Sequence, residues 1–214
     1  MVPISRRRAA KDALFEGFAV IASALASGRR VEIVELLAQG ERTVEGVSRE
    51  IGQSLANTSH HLRTLARAGL VATRRKGTHV HYRLASEEVV AAWLSLRGLA
   101  AGHLDSIGEL AQAYLGDRDS IDLINRGELA DRMRSGEVVL IDVRPPSEFA
   151  AGHLPGAWSV PPDDVDALDE LMASVPAGAD IVAYCRGPYC VFADEAVALL
   201  RRHVGAAVTY RWDG

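Results

Sequence analysis

The stretch IVAYCRGPYCVFADEAVALL, residues 181–200, decides the fold of the second half of this chain. Its apolar start, residues 181–184, predicts a buried strand, and the helical spacing from Val191 onwards predicts a helix to about Arg202. Cys185 therefore lies where a strand ends, shortly before a helix begins. Unpaired backbone N–H groups and the helix dipole favour a thiolate at such a position. We expect Cys185 to be a nucleophile.

The loop after Cys185 has a composition that suits a tight cradle around a sulfur atom. Its residues are Arg186, Gly187, Pro188 and Tyr189, followed by Cys190. The guanidinium of Arg186 favours the thiolate, and Gly187 accepts the positive φ that a tight loop requires. Two plainer interpretations stay open: Cys185 as a buried core cysteine, and Cys190 as a small apolar residue at a helix start.

Two chemistries use a cysteine cradle of this kind. Tyrosine-type phosphatases close theirs with an arginine six positions after the cysteine, where this chain has Val191. The loop instead resembles the active-site loop of rhodanese-type sulfurtransferases, whose common form is Cys-Arg-x-Gly-x-Arg/Thr. Cys185 and Arg186 match, the glycine comes one place early, and Cys190 stands where a basic or hydroxyl residue usually closes the loop. The resemblance implies a persulfide on Cys185, with Cys190 as a candidate resolving thiol.

The segment IDVRPPSEFAAGHLPGA, residues 141–157, strongly resembles the N-terminal signature of rhodanese domains. The resemblance covers about residues 120–214 and implies a hydrogen-bonding framework beneath the loop, made by Asp142, Arg144, Glu148 and His153. Strands expected at 138–143 and 158–160 alternate with helices, which indicates an α/β domain with a parallel sheet. Residues 208–214 read as a last strand, so we expect the closing C-terminal helix of the family to be missing.

Charge divides the chain into a basic and an acidic half. Residues 1–118 carry 16 Lys and Arg against 12 Asp and Glu, a net charge of +4, whereas residues 119–214 carry 8 against 16, a net charge of −8. The basic half is the one suited to a polyanion. Both cysteines of the chain fall in one loop, which fits reactive thiols in a reducing compartment. Nothing approaches the ~20 apolar residues of a membrane span, so a cytoplasmic location is expected.

The first half has the pattern of short helices followed by a basic hairpin. Amphipathic helices are predicted over residues 12–27, 29–38, 44–51 and 55–68, with Thr43 and Ser54 as N-caps. From residue 70 the apolar spacing changes to two and encloses the tip Arg74-Arg75-Lys76-Gly77-Thr78. A polar second helix and a basic hairpin together predict a winged helix-turn-helix domain, mainly α with a small β part. The alternative is that the polar helix is only a solvated surface.

The sequence SLANTSHHL, residues 54–62, running on to the hairpin, closely resembles the ArsR-type repressors. The similarity covers about residues 12–114 and implies a homodimer that binds a palindromic double-stranded operator. Residues expected to contact DNA are Ser54, Asn57, Thr58, Ser59, His60, His61 and Arg63 of the helix, and Arg74, Arg75, Lys76 and Thr78 of the hairpin.

A long apolar helix is predicted from Ser86 to Tyr114 and is assigned to the dimer interface. Many of these repressors sense metal, but residues 43–51 contain no cysteine, and His103, Asp105 and Glu109 lack the spacing of a paired ligand set. No metal site and no cofactor are therefore expected.

The predicted organisation is a DNA-binding and dimerisation domain over residues 1–114, a linker at 115–120 and a rhodanese-like domain over 121–214. The expected function is that of a repressor whose second domain senses or carries reactive sulfur, with polysulfide, a persulfide or thiosulfate as donor. The alternative is a sulfurtransferase enzyme whose DNA-binding domain regulates its own operon; the sequence leaves enzymatic turnover open.

Overall fold

The computed structural model describes residues 4–116, 118, 122–161, 163–176, 179–204 and 209–212, with the backbone alone of 202–204 and 209–212. The chain divides into two compact units, residues 1–100 and 101–214. The division falls earlier than the linker expected at residues 115–120, inside a helix that begins in the first unit.

The first unit places helices around a small antiparallel sheet. Its elements in chain order are α1 (Ile4–Leu25), α2 (Gly28–Ala38), β1 (Arg42–Thr43), α3 (Val44–Glu50), α4 (Leu55–Arg67), β2 (Val71–Lys76), β3 (His79–Leu84) and α5 (Glu87–His103). The strand order is β1-β3-β2. Both predicted caps are present, since Thr43 accepts from the Gly46 amide at 3.2 Å and Ser54 from the Asn57 amide at 3.2 Å.

The predicted hairpin is formed by β2 and β3, which pair from Val71–Leu84 to Lys76–His79. The turn between them is Gly77-Thr78, and Gly77 adopts a φ of 61°, a conformation that favours glycine. The core beneath the hairpin consists of α2, α3 and α4 side chains such as Ile33, Val47 and Leu62, each fully buried.

The prediction of a single helix from Ser86 to Tyr114 is wrong. The structure breaks it into α5 and α6 (Ser106–Leu115), with Leu104 and Asp105 between them. Gly102 lies just ahead of the break, and a glycine lowers helix stability by about 1 kcal/mol relative to alanine. The segment therefore contributes two shorter helices.

The second unit is an α/β fold on a parallel sheet, as predicted. After α6 the elements are β4 (Asp122–Leu123), α7 (Arg126–Ser135), β5 (Val138–Asp142), α8 (Pro146–Ala151), β6 (Trp158–Ser159), α9 (Val165–Ser174), β7 (Asp180–Tyr184), α10 (Phe192–Val204) and β8 (Thr209–Trp212). The described strands form one sheet in the order β4-β8-β7-β5-β6, and every neighbouring pair is parallel.

Strand β7 is buried on both faces. Ile181 and Ala183 belong to a cluster that includes Leu171 and Val197, whereas Val182 and Tyr184 belong to a separate cluster on the other face. This burial on both faces explains why the sequence of a parallel central strand is continuously apolar. It also fixes where β7 ends, and so the position of the cysteine loop.

Candidate functional site

The cysteine loop lies at the carboxyl end of β7. The strand ends at Tyr184, Cys185 follows directly, and α10 begins at Phe192. Gly187 has a φ of 130°, and its carbonyl accepts the Cys190 amide at 3.1 Å, which turns the loop back on itself. Parallel α/β sheets place their reactive groups at this edge.

The two cysteines meet across this loop. Both thiols are free and half-buried. The Cys185 thiol donates to the Gly187 carbonyl, with its Sγ 4.0 Å from that oxygen. The interaction with the Cys190 thiol, together with burial, raises the pKa of Cys185. The same interaction lowers the pKa of Cys190 to about 7, with support from the backbone amides of Arg186 and Phe192. The two thiols therefore act on each other electrostatically within one loop.

A buried carboxylate neutralises the guanidinium of the loop. Arg186 donates from Nε to Glu148 Oε2 at 3.1 Å and from a terminal nitrogen to Glu148 Oε1 at 2.5 Å. Glu148 is 1% exposed and belongs to α8. The guanidinium also lies over the Phe192 ring, 5.3 Å from its centroid. Glu148 thus joins α8 to the cysteine loop through its ion pair with Arg186.

Asp142 and Arg144 form a second buried ion pair beside the first. The Arg144 Nε donates to Asp142 Oδ1 at 2.9 Å, and a terminal nitrogen donates to the Gly152 carbonyl at 2.7 Å. Asp142 is fully buried. Burial also raises the pKa of the neighbouring Tyr184 to about 12, and the Tyr184 hydroxyl accepts the Leu154 amide at 3.0 Å. These groups hold the end of β5 and the segment after α8 in place.

The expected framework role of His153 is wrong. Its side chain is exposed, its ring stacks on Phe149 with centroids 3.7 Å apart, and its Nδ1 lies 2.9 Å from the Phe149 carbonyl. His153 follows the end of α8 and lies four residues after Phe149. At this spacing its ring can fold back onto the Phe149 ring. It therefore packs on the surface rather than beneath the loop.

Arg118 is a residue of this site that the sequence did not indicate. It donates from Nε to Asp194 Oδ2 at 2.7 Å and from its terminal nitrogens to the Pro188 carbonyl at 2.5 Å and the Cys190 carbonyl at 3.0 Å. Asp194 belongs to the first turn of α10. Arg118 lies in the polar stretch that was predicted to be a linker. Its positive charge was the only sequence signal that could have marked it as a site residue.

A cleft next to Phe192, the first residue of α10, carries negative charge. The cleft is open, has a volume of about 620 Å³ and is lined by Asp163, Asp164, Asp166 and Glu195 together with apolar side chains, Pro145 among them. The guanidiniums of Arg118, Arg144 and Arg186 each form an ion pair with a carboxylate. A strongly anionic donor such as thiosulfate would therefore meet acidic groups and cations that are already engaged.

The predicted DNA-contacting residues of α4 separate into two groups. Ser54, Asn57, His60 and Arg63 are exposed, Ser59 and His61 are half-buried, and Thr58 is fully buried. Including Thr58 was wrong, because it lies on the same helix face as Leu62 and Leu65, which are fully buried. Burial lowers the pKa of His61, as do the positive charges of Arg30 and Arg29, so this face of α4 points partly toward α2.

The hairpin residues Arg74, Arg75, Lys76 and Thr78 are all exposed. They are not equivalent, since Arg74 Nε donates to Glu41 Oε2 at 3.1 Å. That bond lowers the pKa of Glu41 and raises the pKa of Arg74. Arg75 and Lys76 have no ion pair among the residues that the structure describes.

Several large apolar side chains are exposed on α1, α5 and α6. Examples are Phe18 at 61%, Leu99 at 60% and Leu110 at 62% exposure. Helices rarely expose so many large apolar side chains to water unless another protein surface covers them.

Within the described ranges, no group of three or more His, Cys, Asp or Glu side chains could hold a metal ion. His103, Asp105 and Glu109 are each exposed. None of the helices in this part of the chain has the length and apolar character needed to span a membrane.

Comparison with known families agrees with the geometry of both units. Residues 27–73 match the model "Bacterial regulatory protein, arsR family", and residues 125–211 match the "Rhodanese-like domain". The HTH-type transcriptional regulator Rv0324 of Mycobacterium tuberculosis is 43% identical over 191 residues, which span 89% of this chain and 82% of that protein. The chain is an ArsR-family transcriptional regulator with a C-terminal rhodanese-like domain.

Other similarities of this ArsR-family regulator are confined to its first half. The HTH-type transcriptional regulator KmtR of Mycobacterium tuberculosis is 40% identical over 65 residues, 30% of this chain and 50% of that protein. Among solved structures, the winged helix-turn-helix DNA-binding domain of Mb0332 from Mycobacterium bovis, described as homodimeric, is 41% identical. It covers 49% of this chain and 94% of its own, with a TM-score of 0.44. In the regulator described here, Arg118 precedes the rhodanese-like match yet contacts its cysteine loop.

Proposed function

We propose that this ArsR-family regulator is a homodimeric repressor that leaves its operator when the Cys185–Cys190 pair reacts with sulfane sulfur. The observation that carries the proposal is the placement of two free, half-buried thiols in one loop, at the carboxyl edge of the sheet of a rhodanese-like fold. Their interaction lowers the pKa of Cys190 to about 7, so the pair can hold a thiolate near neutral pH. The two thiols form a nucleophile with a base beside it.

The first step is a transfer of sulfur to Cys185. The Cys185 sulfur attacks the terminal sulfur of a hydropersulfide, R–S–SH, while its proton passes to the Cys190 thiolate. The S–S bond of the donor breaks, a new S–S bond forms on Cys185, and the thiolate R–S⁻ leaves. The Cys185 sulfur is oxidised and the donor sulfur that leaves is reduced, so no other oxidant is needed.

The second step closes the pair. Cys190 loses its proton to water, and its thiolate attacks the Cys185 sulfur that carries the added atom. A disulfide forms, and hydrosulfide leaves with the electron pair of the broken S–S bond. The protein has then lost two hydrogen atoms, and the sulfur atom first gained is released as hydrosulfide.

The DNA-binding half of the proposal rests on the exposed polar residues of α4 and the basic hairpin. Asn57, His60 and Arg63 present donors and acceptors on one side of α4, while Arg75 and Lys76 supply cations for phosphate. The exposed apolar residues of α1, α5 and α6 support a homodimer, since a second copy would cover them.

The decisive experiment combines intact mass with DNA binding. Fully reduced protein is treated with sodium tetrasulfide, next to Cys185→Ser and Cys190→Ser variants. We expect the wild type to lose two hydrogen atoms, and each single variant to keep added sulfur on its remaining thiol without forming a bridge. A duplex selected from a random library by the reduced protein should dissociate only from wild type. Dissociation of the Cys185→Ser variant from the duplex on the same treatment would contradict the proposal.

Steady sulfur transfer from thiosulfate is the alternative function. The ion-paired guanidiniums and the acidic cleft oppose it, since a dianion needs cations that are available to bind it. We expect no sustained thiocyanate formation from thiosulfate and cyanide. Turnover at a constant rate, with or without DNA, would favour the enzymatic function instead.

A further inference from the structure

Arg118 connects two parts of the second unit, helix α6 and the cysteine loop. It lies three residues after the end of α6, a helix with exposed apolar side chains, and its guanidinium reaches the cysteine loop 70 residues later in the chain. The contacts are its Nε to Asp194 Oδ2 at 2.7 Å and terminal nitrogens to the carbonyls of Pro188 at 2.5 Å and Cys190 at 3.0 Å.

These contacts are well shielded from solvent. The side chain of Arg118 is 18% exposed and that of Asp194 is 13% exposed. A guanidinium in this setting has a fixed planar fork, so it satisfies a carboxylate and two carbonyls only when all three keep their positions. Its hydrogen bonds therefore depend on the conformation of the loop backbone.

One of the two carbonyls belongs to a residue that reacts. Cys190 contributes its sulfur to the thiol pair and its carbonyl to Arg118. Both thiols are free, so their sulfurs lie beyond the ~2.05 Å of an S–S bond, and closing the bridge must draw the Cys190 sulfur toward Cys185. A backbone shift of Cys190 in that direction would turn its carbonyl relative to Arg118.

We propose that Arg118 is the positioning residue that couples the state of the cysteine pair to helix α6. In the dithiol state, Arg118 is bound to the loop and holds the chain after α6. In the bridged state, the loop carbonyls no longer fit the guanidinium, and the end of α6 is released. This inference rests on the proposed sulfur chemistry and adds to it the route by which the loop acts on the preceding helices.

The coupling is reciprocal, because a contact made in only one state of an equilibrium favours that state. Arg118 should therefore stabilise the dithiol form. Hydrogen bonds from a charged group are strong enough that losing them should shift the dithiol–disulfide equilibrium about tenfold toward the disulfide. A tenfold change corresponds to a midpoint potential about 30 mV more negative.

The test uses the full-length protein and two readouts. The first is the midpoint potential of the cysteine pair in glutathione redox buffers. The second is amide hydrogen exchange of residues 106–116, before and after sodium tetrasulfide treatment. The variants are Arg118→Gln, Arg118→Lys and, as a matched control, Arg126→Gln, an exposed arginine of α7 with no ion pair among the described residues. Thermal unfolding of each variant confirms that it is folded.

We expect tetrasulfide to speed exchange of α6 in wild type and in Arg126→Gln. Arg118→Gln should show the faster exchange already when reduced, no further change after treatment, and the more negative potential. Arg118→Lys should behave like Arg118→Gln, because an ammonium cannot serve three acceptors in the geometry of the fork.

Each contrary result has a separate meaning. Normal mass changes in Arg118→Gln with an unchanged potential and unchanged α6 exchange would overturn the role of Arg118 and leave the sulfur chemistry standing. Full rescue by Arg118→Lys would show that charge opposite Asp194 matters, not the loop carbonyls, and would also overturn it. If wild type itself shows no mass change, the proposed function fails and this inference fails with it.

Discussion

The thiols of Cys185 and Cys190 shift each other's pKa in opposite directions within the loop that joins β7 to α10. Their interaction raises the pKa of Cys185 and lowers the pKa of Cys190 to about 7. The strand–loop–helix pattern drew attention to Cys185 alone, whereas the structure makes the two thiols an interacting pair.

This relationship predicts the pH dependence of thiol alkylation. The pKa of Cys190 is lowered to about 7, so alkylation of Cys190 by iodoacetamide should rise through pH 7 and level off above it. Replacing Cys185 by alanine removes the neighbouring thiol and should move this midpoint to higher pH. A Cys185→Ser variant keeps a hydroxyl that can donate to Cys190 and should move the midpoint less. Equal midpoints in the two variants would contradict the interaction of the two side chains as the cause.

Glu148 should be important for the stability of the second unit. Its carboxylate is 1% exposed and pairs with Arg186, so a Glu148→Ala variant removes the buried anion of this pair. Breaking such a pair costs about 3–5 kcal/mol, and Glu148→Gln should cost less because it keeps an acceptor. Urea unfolding measures the loss, with the exposed Glu170→Gln as a control expected within about 0.5 kcal/mol of wild type. A stable Glu148→Ala variant would show that the pair is dispensable.

The hairpin arginines should differ in how they contribute to DNA binding. Each phosphate contact adds about 0.9 to the slope of log affinity against log salt, so Arg75→Gln should lower the slope by about 1.8 per dimer. Arg74→Gln should lower it less, because Arg74 already pairs with Glu41. The measurement is binding to the selected duplex at several salt concentrations. Equal losses for the two variants would mean that the pair with Glu41 breaks on DNA.

Thr58 and Asn57 provide a test of the recognition helix at adjacent positions. Thr58 is fully buried, and its hydroxyl has no hydrogen-bond partner among the residues described. Thr58→Val should therefore leave DNA affinity unchanged and raise the free energy of unfolding by about 1 kcal/mol. Asn57→Ala, which alters an exposed amide, should weaken binding to the selected duplex. A tenfold loss of affinity in Thr58→Val would mean that this residue reaches DNA after all.

The exposed apolar residues of α1 predict the behaviour of a charge variant. Phe18 is 61% exposed, and Phe18→Glu should raise the dissociation constant of the dimer by about 100-fold or more, because burying an unpaired carboxylate is costly. Sedimentation velocity across a concentration series measures it. The control is Val165→Glu, at a position 66% exposed in α9, which should sediment like wild type. An unchanged Phe18→Glu dimer would place the interface elsewhere.

The sequence predicted the elements with strong periodicity and missed what depends on distant contacts. The apolar run of β7, the caps Thr43 and Ser54 and the hairpin around residues 74–78 are local signals, and the structure has all of them, with the turn narrowed to Gly77-Thr78. The break between α5 and α6 was missed because apolar spacing continues through it. The prediction for His153 was wrong. The family resemblance suggested a framework role beneath the loop, whereas its ring stacks on the nearby Phe149.

The site was predictable in its residues but not in its electrostatics. The pattern identified Cys185 and Cys190, yet no local rule indicates that the two thiols shift each other's pKa in opposite directions. Arg118 could not be found either, because its three acceptors lie 70 to 76 residues away in the chain. Long-range pairing of this kind leaves no periodic trace in the sequence.

The position of β8 has a consequence for how the protein is made. This strand lies between β4 and β7, so the sheet remains split until residues 209–212 have emerged from the ribosome. The first unit has no such requirement, since its sheet and core use residues 1–100. A nascent chain can therefore hold a finished first unit while its cysteine loop still lacks a completed sheet. The proposed response to sulfur would begin only once synthesis has passed β8.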